Sequence, residues 1–254
     1  MRGLAGFAVL VGLWDLLRLA HVLPPTAAPA SWDIARALAD PSLAVAAGDT
    51  LLAWAGGLLL AGVLGIAAGI LLGVSRWADA ATRVVIDFLR PIPAVALIPV
   101  AVVVIGLGAG MQAVLVAFAC LWPLLISTRF GVRDVDPLLV ETGRVFGASG
   151  LRLAATVTGP AAVPAIRTGL RTAASLGLVV AVATELVAGS PGLGWYIAQQ
   201  QQAGQIPAAY AGIVVAGSLG YVIHLVFDLS AGRAVSGRAV SRRSVSGRAF
   251  SGRR

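Results

Sequence analysis

The sequence contains no lysine, one cysteine and two histidines, and only 12% of its 254 residues are charged. Without lysine it has no phosphate-binding loop of the GxxxxGK(S/T) type, no Schiff-base lysine and no lysine general base. The single thiol, Cys120, lies in an apolar run and is expected to be a small core residue. His21 and His224 are too far apart for a metal-site pattern. We therefore expect no catalytic residue, cofactor or metal ion in this chain.

Apolar residues dominate the composition, at 58% of the chain, with a mean hydropathy of +0.91. A soluble domain carries about 25% charged residues, and the smaller share here cannot coat a globule of this size. Lipid is therefore the predicted solvent. The net charge of +8 would suit nucleic acid, but the arginines form separate clusters between long apolar runs. That distribution argues against nucleic-acid binding.

Apolar segments recur along the chain at lengths close to the 20 or so residues that one crossing of a bilayer core requires. They lie at about 4–23, 51–74, 88–105, 111–128, 170–188 and 208–228. The glycines of 106–110 predict a hairpin turn inside one uncharged run, and the polar stretch 189–207 divides another. We predict an all-α integral membrane domain over residues 1–229, with six transmembrane helices.

The first span also has an interpretation as a signal peptide, because Arg2, an apolar stretch and Ala27-Ala28-Pro29-Ala30 resemble a cleavable leader. The apolar sequence continues to Leu23, which favours a retained span. Asp15 and Arg18 stand three residues apart on one helix and are expected to neutralise each other. The alternative is a role for this pair in a transport pathway.

Arginines are concentrated between spans two and three, between spans four and five, and in the tail 230–254. By the positive-inside rule these segments are cytoplasmic, and six spans then place both termini inside the cell. The tail carries seven arginines in an imperfect five-residue repeat and is expected to be disordered. It is either attracted to anionic lipid headgroups or merely solvated.

The segment 134–160, between spans four and five, is too long for a simple connection and predicts two short helices. Asp136 can cap the first helix, with Pro137 at its first position. Gly147 can end that helix in a left-handed conformation, and Gly159-Pro160 is expected to stop the second one. An elbow of this kind is suited to dock in a groove of a partner protein.

This segment resembles the signature of the permease subunits of ATP-binding-cassette importers: Glu-Ala-Ala, three residues, Gly, nine residues, Ile, one residue, Leu-Pro. The matching positions are Glu141, Thr142, Gly143, Gly147, Val157, Gly159 and Pro160. The glutamate, the central glycine and the proline keep their spacing, and Val157 replaces isoleucine conservatively. Thr142, Gly143 and Gly159 depart from the pattern. Because glycine costs about 1 kcal/mol against alanine in a helix, we expect Gly143 to loosen the first helix or to face a differently shaped groove.

Other segments are similar to the nitrate/sulfonate/taurine branch of that family. They are Trp14-Asp15 with the Leu23-Pro24-Pro25 exit, Arg90-Pro91-Ile92-Pro93 with Pro99, Gly106 and Gly108, and Glu185 with Gly192-Leu193-Gly194. The resemblance implies two permease copies around one pathway and, as substrate, a small anion such as a sulfonate, taurine or nitrate.

The resemblance also implies partners. Each copy is expected to dock one ATP-binding subunit through Glu141–Pro160, and ATP hydrolysis is expected on that partner. An extracytoplasmic solute-binding protein is expected to deliver substrate to the outward loops, with Gly192 and Gly194 as candidate contacts. The implied location is the cell membrane of a prokaryote.

Three residues are candidates for the pathway or its gate: Glu185, Pro93 and Pro99. An acid within a span is costly and is a functional candidate, although Glu185 can instead be an interfacial acid that contacts water. The prolines bend the start of the third span, either as local geometry or to line the pathway. The alternative function is an ion-coupled secondary transporter that needs no ATPase, for which only Asp15 and Glu185 offer coupling groups.

Two spacings predict helix contacts. Glycines at spacings of three or four suit close packing, either within one chain or across a dimer, and these are Gly62, Gly65, Gly69 and Gly73. His224 and Asp228 stand four apart near the end of the sixth span, which favours an interfacial hydrogen bond over a proton relay.

Overall fold

A computed structural model describes residues 2–20, 22, 24 and 27–246 of the chain. His21, Leu23, Pro25 and the last eight positions of the tail, for which the sequence also carried expectations, lie outside the described residues. Within the described part every regular element is helical, as predicted. The α-helices are α1 (Arg2–Leu19), α2 (Ser31–Ala37), α3 (Pro41–Val74), α4 (Arg76–Leu89), α5 (Ile98–Ile105), α6 (Ala109–Arg133), α7 (Pro137–Val145), α8 (Gly150–Leu153), α9 (Gly159–Ala188), α10 (Leu193–Gln202) and α11 (Ile206–Ser246).

Four stretches of the described chain are long and apolar enough to cross a membrane: Pro41–Val74, Ala109–Arg133, Ala154–Ala188 and Ile206–Asp228. A fifth candidate is α4 together with the segment Ala94–Ile105, which is bent from α4 by 81°. The first helix is 18 residues long and carries Arg2, Asp15 and Arg18. The structure thus has four to five apolar spans by length and composition.

Helices α3 and α6 pack closely along a line of small residues that advances by four positions. A Cβ added at Gly65, Gly69 or Gly73 would lie 3.0, 2.6 and 2.6 Å from the nearest atom of an α6 side chain. These glycines therefore serve contacts within one chain. Gly62 does not take part in this contact within the chain, since nothing lies within 4 Å of its Cβ position, and packing of Gly62 across a dimer stays a prediction. Gly62 precedes Gly65 by three residues, which rotates it off the contact line.

Substituting Gly69 with leucine is expected to destabilise the chain by at least ~2 kcal/mol, because the new side chain must displace Thr128 or the backbone of α6. The matched control, Gly62→Leu, faces open space and should change stability by less than ~0.5 kcal/mol. The measurement is thermal unfolding of both variants in the same detergent. Equal unfolding midpoints for the two variants would contradict the close contact between Gly69 and α6.

Helix α9 completes the core on the other side of α6. Added Cβ atoms at Gly169 and Gly177 would lie 2.7 Å from the side chains of Ser127 and Cys120. Cys120 is fully buried in the α3–α6–α9 core, with its thiol 3.1 Å from the carbonyl oxygen of Ala173. The prediction of a small core residue at Cys120 is confirmed.

Asp15 of helix α1 bonds to the start of α2 and not mainly to Arg18 on its own helix. Asp15 accepts hydrogen bonds from the backbone N–H and the hydroxyl of Ser31, the first residue of α2. The expected Asp15–Arg18 pair is therefore wrong as the main interaction. The free N–H groups and positive dipole end at the start of a helix attract a carboxylate, and here they lie within reach of Asp15.

Helix α11 continues to Ser246, through much of the segment for which disorder was expected. The repeat contains no proline, and its alanines and arginines are good helix formers. Before the tail, His224 lies 3.2 Å from Asp228, as predicted, and Arg171 of α9 also pairs with Asp228. Arg171 thus ties α9 to α11, a contact that the spacing along α11 did not indicate.

Candidate functional site

The bundle has two ends, and each carries a group of candidate residues. The end with residues 134–160, where Arg76, Arg129, Arg133 and Arg144 also lie, is called here the arginine-rich end. The end with residues 189–205 is called the opposite end. Helices α3 and α6 run parallel to each other between the two ends, since their contacts advance together from Gly57–Val116 to Gly73–Val132.

Helix α7 begins and ends at the arginine-rich end as its local sequence predicts. The side chain of Asp136 accepts the backbone N–H of Leu138 at 2.9 Å, and Pro137 occupies the first helical position. Gly147 follows the helix with φ of +80°, a left-handed conformation that favours glycine. Glu141, Thr142 and Gly143 lie within α7.

One face of α7 is apolar and uncovered. Its large side chains are all exposed, with Phe146 exposing 82% of its surface; they are Leu138, Leu139, Val145 and Phe146. The hydroxyl of Thr142, on the same face, donates to the carbonyl oxygen of Leu138 at 2.7 Å. Thr142 therefore leaves the face without an unpaired donor.

Gly143 lies at the edge of this face, four residues after Leu139, against the chain that follows the elbow. A Cβ at Gly143 would lie 2.9 Å from both Leu153 and Val157, which is too close for alanine without movement. The departure from the family pattern at Gly143 thus has a packing reason: it admits Leu153 and Val157 next to α7. Of the predicted residues, Gly143 and Val157 are brought into contact here.

The second helix does not stop at Gly159-Pro160, contrary to the prediction. Residues Ala154–Thr158 form a π-helical turn, in which the N–H of Gly159 donates to the carbonyl oxygen of Ala154, and α9 follows directly. Proline lacks an N–H and its ring collides with the carbonyl four residues earlier. The wider π turn relieves that collision, so Gly159 and Pro160 begin a long helix instead of ending a short one.

A cavity of about 690 Å³ separates α7 from α4 at the arginine-rich end. Glu141, Arg144, Arg76 and Asp79 are among the residues that line it. Glu141 therefore faces a space with charges of both signs and does not pack against a neighbouring helix. Helix α7 consequently touches the bundle on its Gly143 side and leaves its apolar face free.

A buried ion-pair network fixes α4 beside this cavity. Asp79 of α4 exposes only 8% of its surface and lies 3.1 Å from Arg129 and 2.9 Å from Arg133, both on α6. Arg133 also donates to the carbonyl oxygen of Leu72 near the end of α3, at 3.1 Å. Three helices are thereby joined just before the chain enters residues 134–160.

At the opposite end, Glu185 is fully buried and connects α9, α3 and the start of α10. Its Oε2 accepts the hydroxyl of Thr50 at 3.0 Å and the backbone N–H of Gly194 at 2.9 Å. The hydroxyl oxygen of Thr50 in turn accepts the N–H of Leu193 at 2.9 Å. Oε1 of Glu185 has no hydrogen-bond partner among the described residues. The interpretation of Glu185 as an interfacial acid that contacts water does not fit this fully buried position.

Gly192 and Gly194 pack directly on Glu185. A Cβ at Gly192 would overlap the carboxyl group of Glu185, and one at Gly194 would overlap the carbonyl oxygen of Val182. On the other flank of the loop, Gln112 of α6 donates to the hydroxyl of Ser190 at 2.7 Å. Glu185, Gly192 and Gly194, which were predicted for separate roles, therefore lie together in one buried site. A contact of the two glycines with a partner stays a prediction.

The same end is tied a second time through Tyr196 and Asp40. The phenol of Tyr196 in α10 donates to Asp40 at 3.0 Å, and Asp40 caps α3 through the N–H of Ser42 at 2.9 Å. The hydroxyl and N–H of Ser42 hold the pKa of Asp40 below its ordinary value. Asp40 is therefore a carboxylate acceptor at neutral pH.

Pro93 and Pro99 lie at the bend between α4 and α5. Pro93 precedes a 3₁₀ turn, Ala94–Leu97, and Pro99 lies in the first turn of α5. Both occupy positions where proline is tolerated, because the first N–H groups of a helix have no partner within it. The expected break at the start of the third span is confirmed, and a role in a pathway stays a prediction.

Sequence reasoning missed Thr50, Gln112 and Asp79. Asp79 could have been found from the sequence. It is an acid between two long apolar runs, and each of these runs is followed by arginines that could pair with it. Thr50 carried little, because a threonine at the edge of an apolar run is ordinary, and it lies 135 residues from Glu185.

The comparisons with known proteins agree with one another. A model of the family described as "binding-protein-dependent transport system inner membrane component" matches residues 61–236. The chain is 31% identical over 210 residues to the nitrate import permease protein NrtB of Leptolyngbya laminosa, which covers 78% of this chain and 74% of NrtB. It is 34% identical over 151 residues to the taurine transport system permease protein TauC of Escherichia coli K12, covering 59% of this chain and 54% of TauC.

The fold is also similar to that of a chain in crystal structures of the MetNI methionine ABC transporter in inward-facing conformations. The TM-score is 0.68 at 20% identity, and the match covers 76% of this chain and 96% of that one. At this identity the likeness is one of fold.

Proposed function

The chain belongs to the family of binding-protein-dependent transport system inner membrane components, and from that premise we propose that it forms the pathway of an ATP-driven importer for a small anion. In this proposal the chain crosses the membrane six times, through α1, α3, the segment 91–105 that contains α5, α6, α9 and α11. Both termini and the arginine-rich end then face the cytoplasm, in agreement with the positive-inside rule.

The observation that carries the proposal is the free apolar face of α7. Leu138, Val145 and Phe146 are exposed on a short helix that is followed by a left-handed glycine and makes a close contact through Gly143 at the edge of the same face. An exposed apolar helix face fits a groove on a partner. We assign that groove to an ATP-binding subunit, and α7 then transmits its closure through Val157 and the π turn into α9.

The opposite end is assigned to a solute-binding protein. Here α10 presents Trp195 and three exposed glutamines, Gln199, Gln201 and Gln202, beside the loop that Glu185 and Gln112 hold. A second copy of the chain completes the pathway, with Glu185 and the prolines Pro93 and Pro99 placed to shape or gate it. Alternating access follows if the ATP-bound and ATP-free partners favour different arrangements of the two copies.

The substrate class follows from the relatives. NrtB is named for nitrate and TauC for taurine, and a bicarbonate transport system permease, CmpB of Synechococcus elongatus, is 32% identical over 151 residues. Each named substrate carries an acidic group, which supports a small anion for this chain.

The ion-coupled secondary transporter is not favoured by the structure. Its two candidate coupling groups, Asp15 and Glu185, each accept two hydrogen bonds from neighbouring residues. Uptake by this chain alone in proteoliposomes, driven by an ion gradient without ATP, would revive it.

Replacing Phe146 with alanine is expected to weaken binding of the ATP-binding subunit that co-purifies with the wild-type chain. A buried aromatic anchor contributes about 2 kcal/mol or more to an interface, or about 30-fold in Kd. The measurement is the Kd for that subunit in detergent, followed by ATP-dependent uptake in proteoliposomes.

The matched control is Phe88→Ala, because Phe88 is exposed to a similar extent (72% against 82%) on α4. It should leave the Kd unchanged. If the two variants bind the ATP-binding subunit equally well, α7 is not the docking element and the proposed function loses its support in the structure.

A further inference from the structure

Helix α4 carries three distinct faces along its 14 residues. One side is buried, with Asp79 and Ile86 turned toward α3 and α6. A second side is apolar and uncovered, with Trp77 81% and Val84 77% exposed, and Val85 and Phe88 beside them. The third side bears exposed charges, which are Arg76, Arg83 and Asp87, with Arg90 following at the helix end.

The spacing of these residues explains the separation. Trp77, Val84 and Phe88 stand seven and four residues apart and so share one face of an α-helix. Arg76, Arg83 and Arg90 are spaced by seven and form a row along the neighbouring flank. The only ion pair that any of these arginines makes within the described chain is Arg83–Asp87, at 3.9 Å and 70% exposed, which is worth little.

The position of α4 limits what can cover its apolar face. At about 1.5 Å per residue the helix is about 21 Å long, shorter than a bilayer core of about 30 Å. It follows the apolar helix α3 directly, and the chain turns by 81° before the segment Ala94–Ile105. A charged, amphipathic helix that ends one span and makes a near-right angle with the next lies along a membrane surface.

We propose that α4 lies in the plane of the membrane interface at the arginine-rich end and binds the headgroups of acidic phospholipids. Trp77, Val84 and Phe88 sit at the level of the upper acyl chains, where tryptophan is enriched. Arg76, Arg83 and Arg90 contact the anionic phosphodiester groups. Charge complementarity favours anionic lipid over a second copy of this chain as the partner of this face. A symmetric contact between two copies would bring the two rows of arginines together, and their like charges would repel.

The lipid contact has a route to the rest of the molecule. Asp79, on the buried side of α4, holds Arg129 and Arg133 at the end of α6. Helix α4 thus anchors the segment that leads into α7. The proposal requires membrane insertion of the helices, but it does not require docking of an ATPase.

The test is quenching of Trp77 fluorescence by lipids brominated near the top of the acyl chains. The full chain is reconstituted into vesicles with equal mole fractions of brominated phosphatidylglycerol or brominated phosphatidylcholine. The difference between wild type and Trp77→Phe isolates Trp77 from the other five tryptophans. We expect Trp77 to be quenched in both vesicles and more strongly by phosphatidylglycerol. Equal quenching by the two lipids would overturn the headgroup assignment.

Charge variants provide the second arm. Changing Arg76, Arg83 and Arg90 to glutamine should remove the preference for phosphatidylglycerol, at about fivefold in lipid affinity per arginine. The control removes the same number of charges from the same end, with Arg144, Arg152 and Arg167 changed to glutamine, and should keep the preference. If both triple variants lose it equally, the effect is one of net charge and the α4 site is refuted.

A dimer contact is the remaining outcome. Val84→Cys should not cross-link between copies in vesicles, and Cys120 adds no background because it is fully buried. Efficient cross-linking at position 84, together with unquenched Trp77, would assign the face to a second copy and overturn the proposal. Neither fluorescence quenching nor cross-linking depends on ATP-dependent uptake. A negative result in these experiments would therefore refute the lipid contact of α4 without bearing on the proposed coupling role of α7.

Discussion

Replacing Glu185 with alanine is expected to release residues 190–205 from α3 and to raise amide hydrogen exchange in that segment by about 100-fold or more. The substitution removes the acceptor of the Gly194 N–H in a fully buried site, whereas the Thr50 hydroxyl can still donate to the carbonyl oxygen of Ala46 at 3.1 Å. Each unpaired buried donor costs about 1–3 kcal/mol, and the cavity adds to that cost. A local loss of about 3 kcal/mol corresponds to about a 100-fold change in the open population.

Two further variants separate the hydrogen bonds from the charge. Glu185→Gln keeps an acceptor oxygen for both donors and should raise exchange by less than tenfold. Gly192→Ala keeps Glu185 but places a methyl group in its carboxyl and forces alanine to φ of +146°, so it should open the segment as Glu185→Ala does.

The control is Glu141→Ala, which removes an exposed glutamate at the other end of the molecule and should leave exchange over 190–205 unchanged. Exchange that stays at the wild-type level in Glu185→Ala would contradict the holding role of this carboxyl group. Uptake by the Glu185→Gln variant then tests whether the charge of Glu185 takes part in gating. If this variant transports normally and residues 190–205 stay protected from exchange, Glu185 only positions that segment.

Local sequence determined much of what could be predicted. The start of α7 at Asp136-Pro137 and the left-handed Gly147 follow from capping chemistry that acts within a few residues. The break near Pro93 and the all-helical composition follow from proline geometry and from the lengths of the apolar runs. These features need no knowledge of how the helices are arranged.

Most of the features that were missed or mispredicted depend on neighbours distant in sequence, and the exception is Gly159-Pro160, where a change of helix type decides the outcome. Gly159-Pro160 reads as a stop, and only the π turn before it lets a helix continue. Gly62 has the spacing of a contact residue, yet the orientation of α6 decides which glycines touch. The Thr50–Glu185 bond joins residues 135 positions apart, and no local pattern specifies it.

Helix α4 was overlooked for a different reason. Its arginines were assigned to a loop, because charge between two apolar runs usually marks a connection. The period of seven in Arg76, Arg83 and Arg90 was the available signal, together with Ser75, whose side chain caps the helix by accepting the N–H of Ala78. Amphipathic order in a charged segment thus distinguishes an interfacial helix from a loop.

Changing Asp79 to asparagine is expected to destabilise the arginine-rich end by about 2–4 kcal/mol and to reduce ATP-dependent uptake strongly. The substitution leaves Arg129 and Arg133 without their carboxylate, and removal of one partner from a buried pair costs about 3–5 kcal/mol. The smaller figure applies here because the side chain of Arg133 is one-third exposed. Uptake should fall because α4 no longer fixes the end of α6 from which residues 134–160 depart.

The matched control lies on the same helix. Asp87→Asn makes the same chemical change in a pair with Arg83 that is 3.9 Å long and 70% exposed, and it should cost less than ~0.5 kcal/mol. Thermal unfolding in detergent and uptake in proteoliposomes are measured for both variants. A double-mutant cycle between Asp79→Asn and Arg133→Gln should give a coupling energy of at least ~1 kcal/mol, since the two groups contact each other directly. If Asp79→Asn is as mild as Asp87→Asn, the network does not hold α4 to α6, and α4 can move without disturbing the entry to α7.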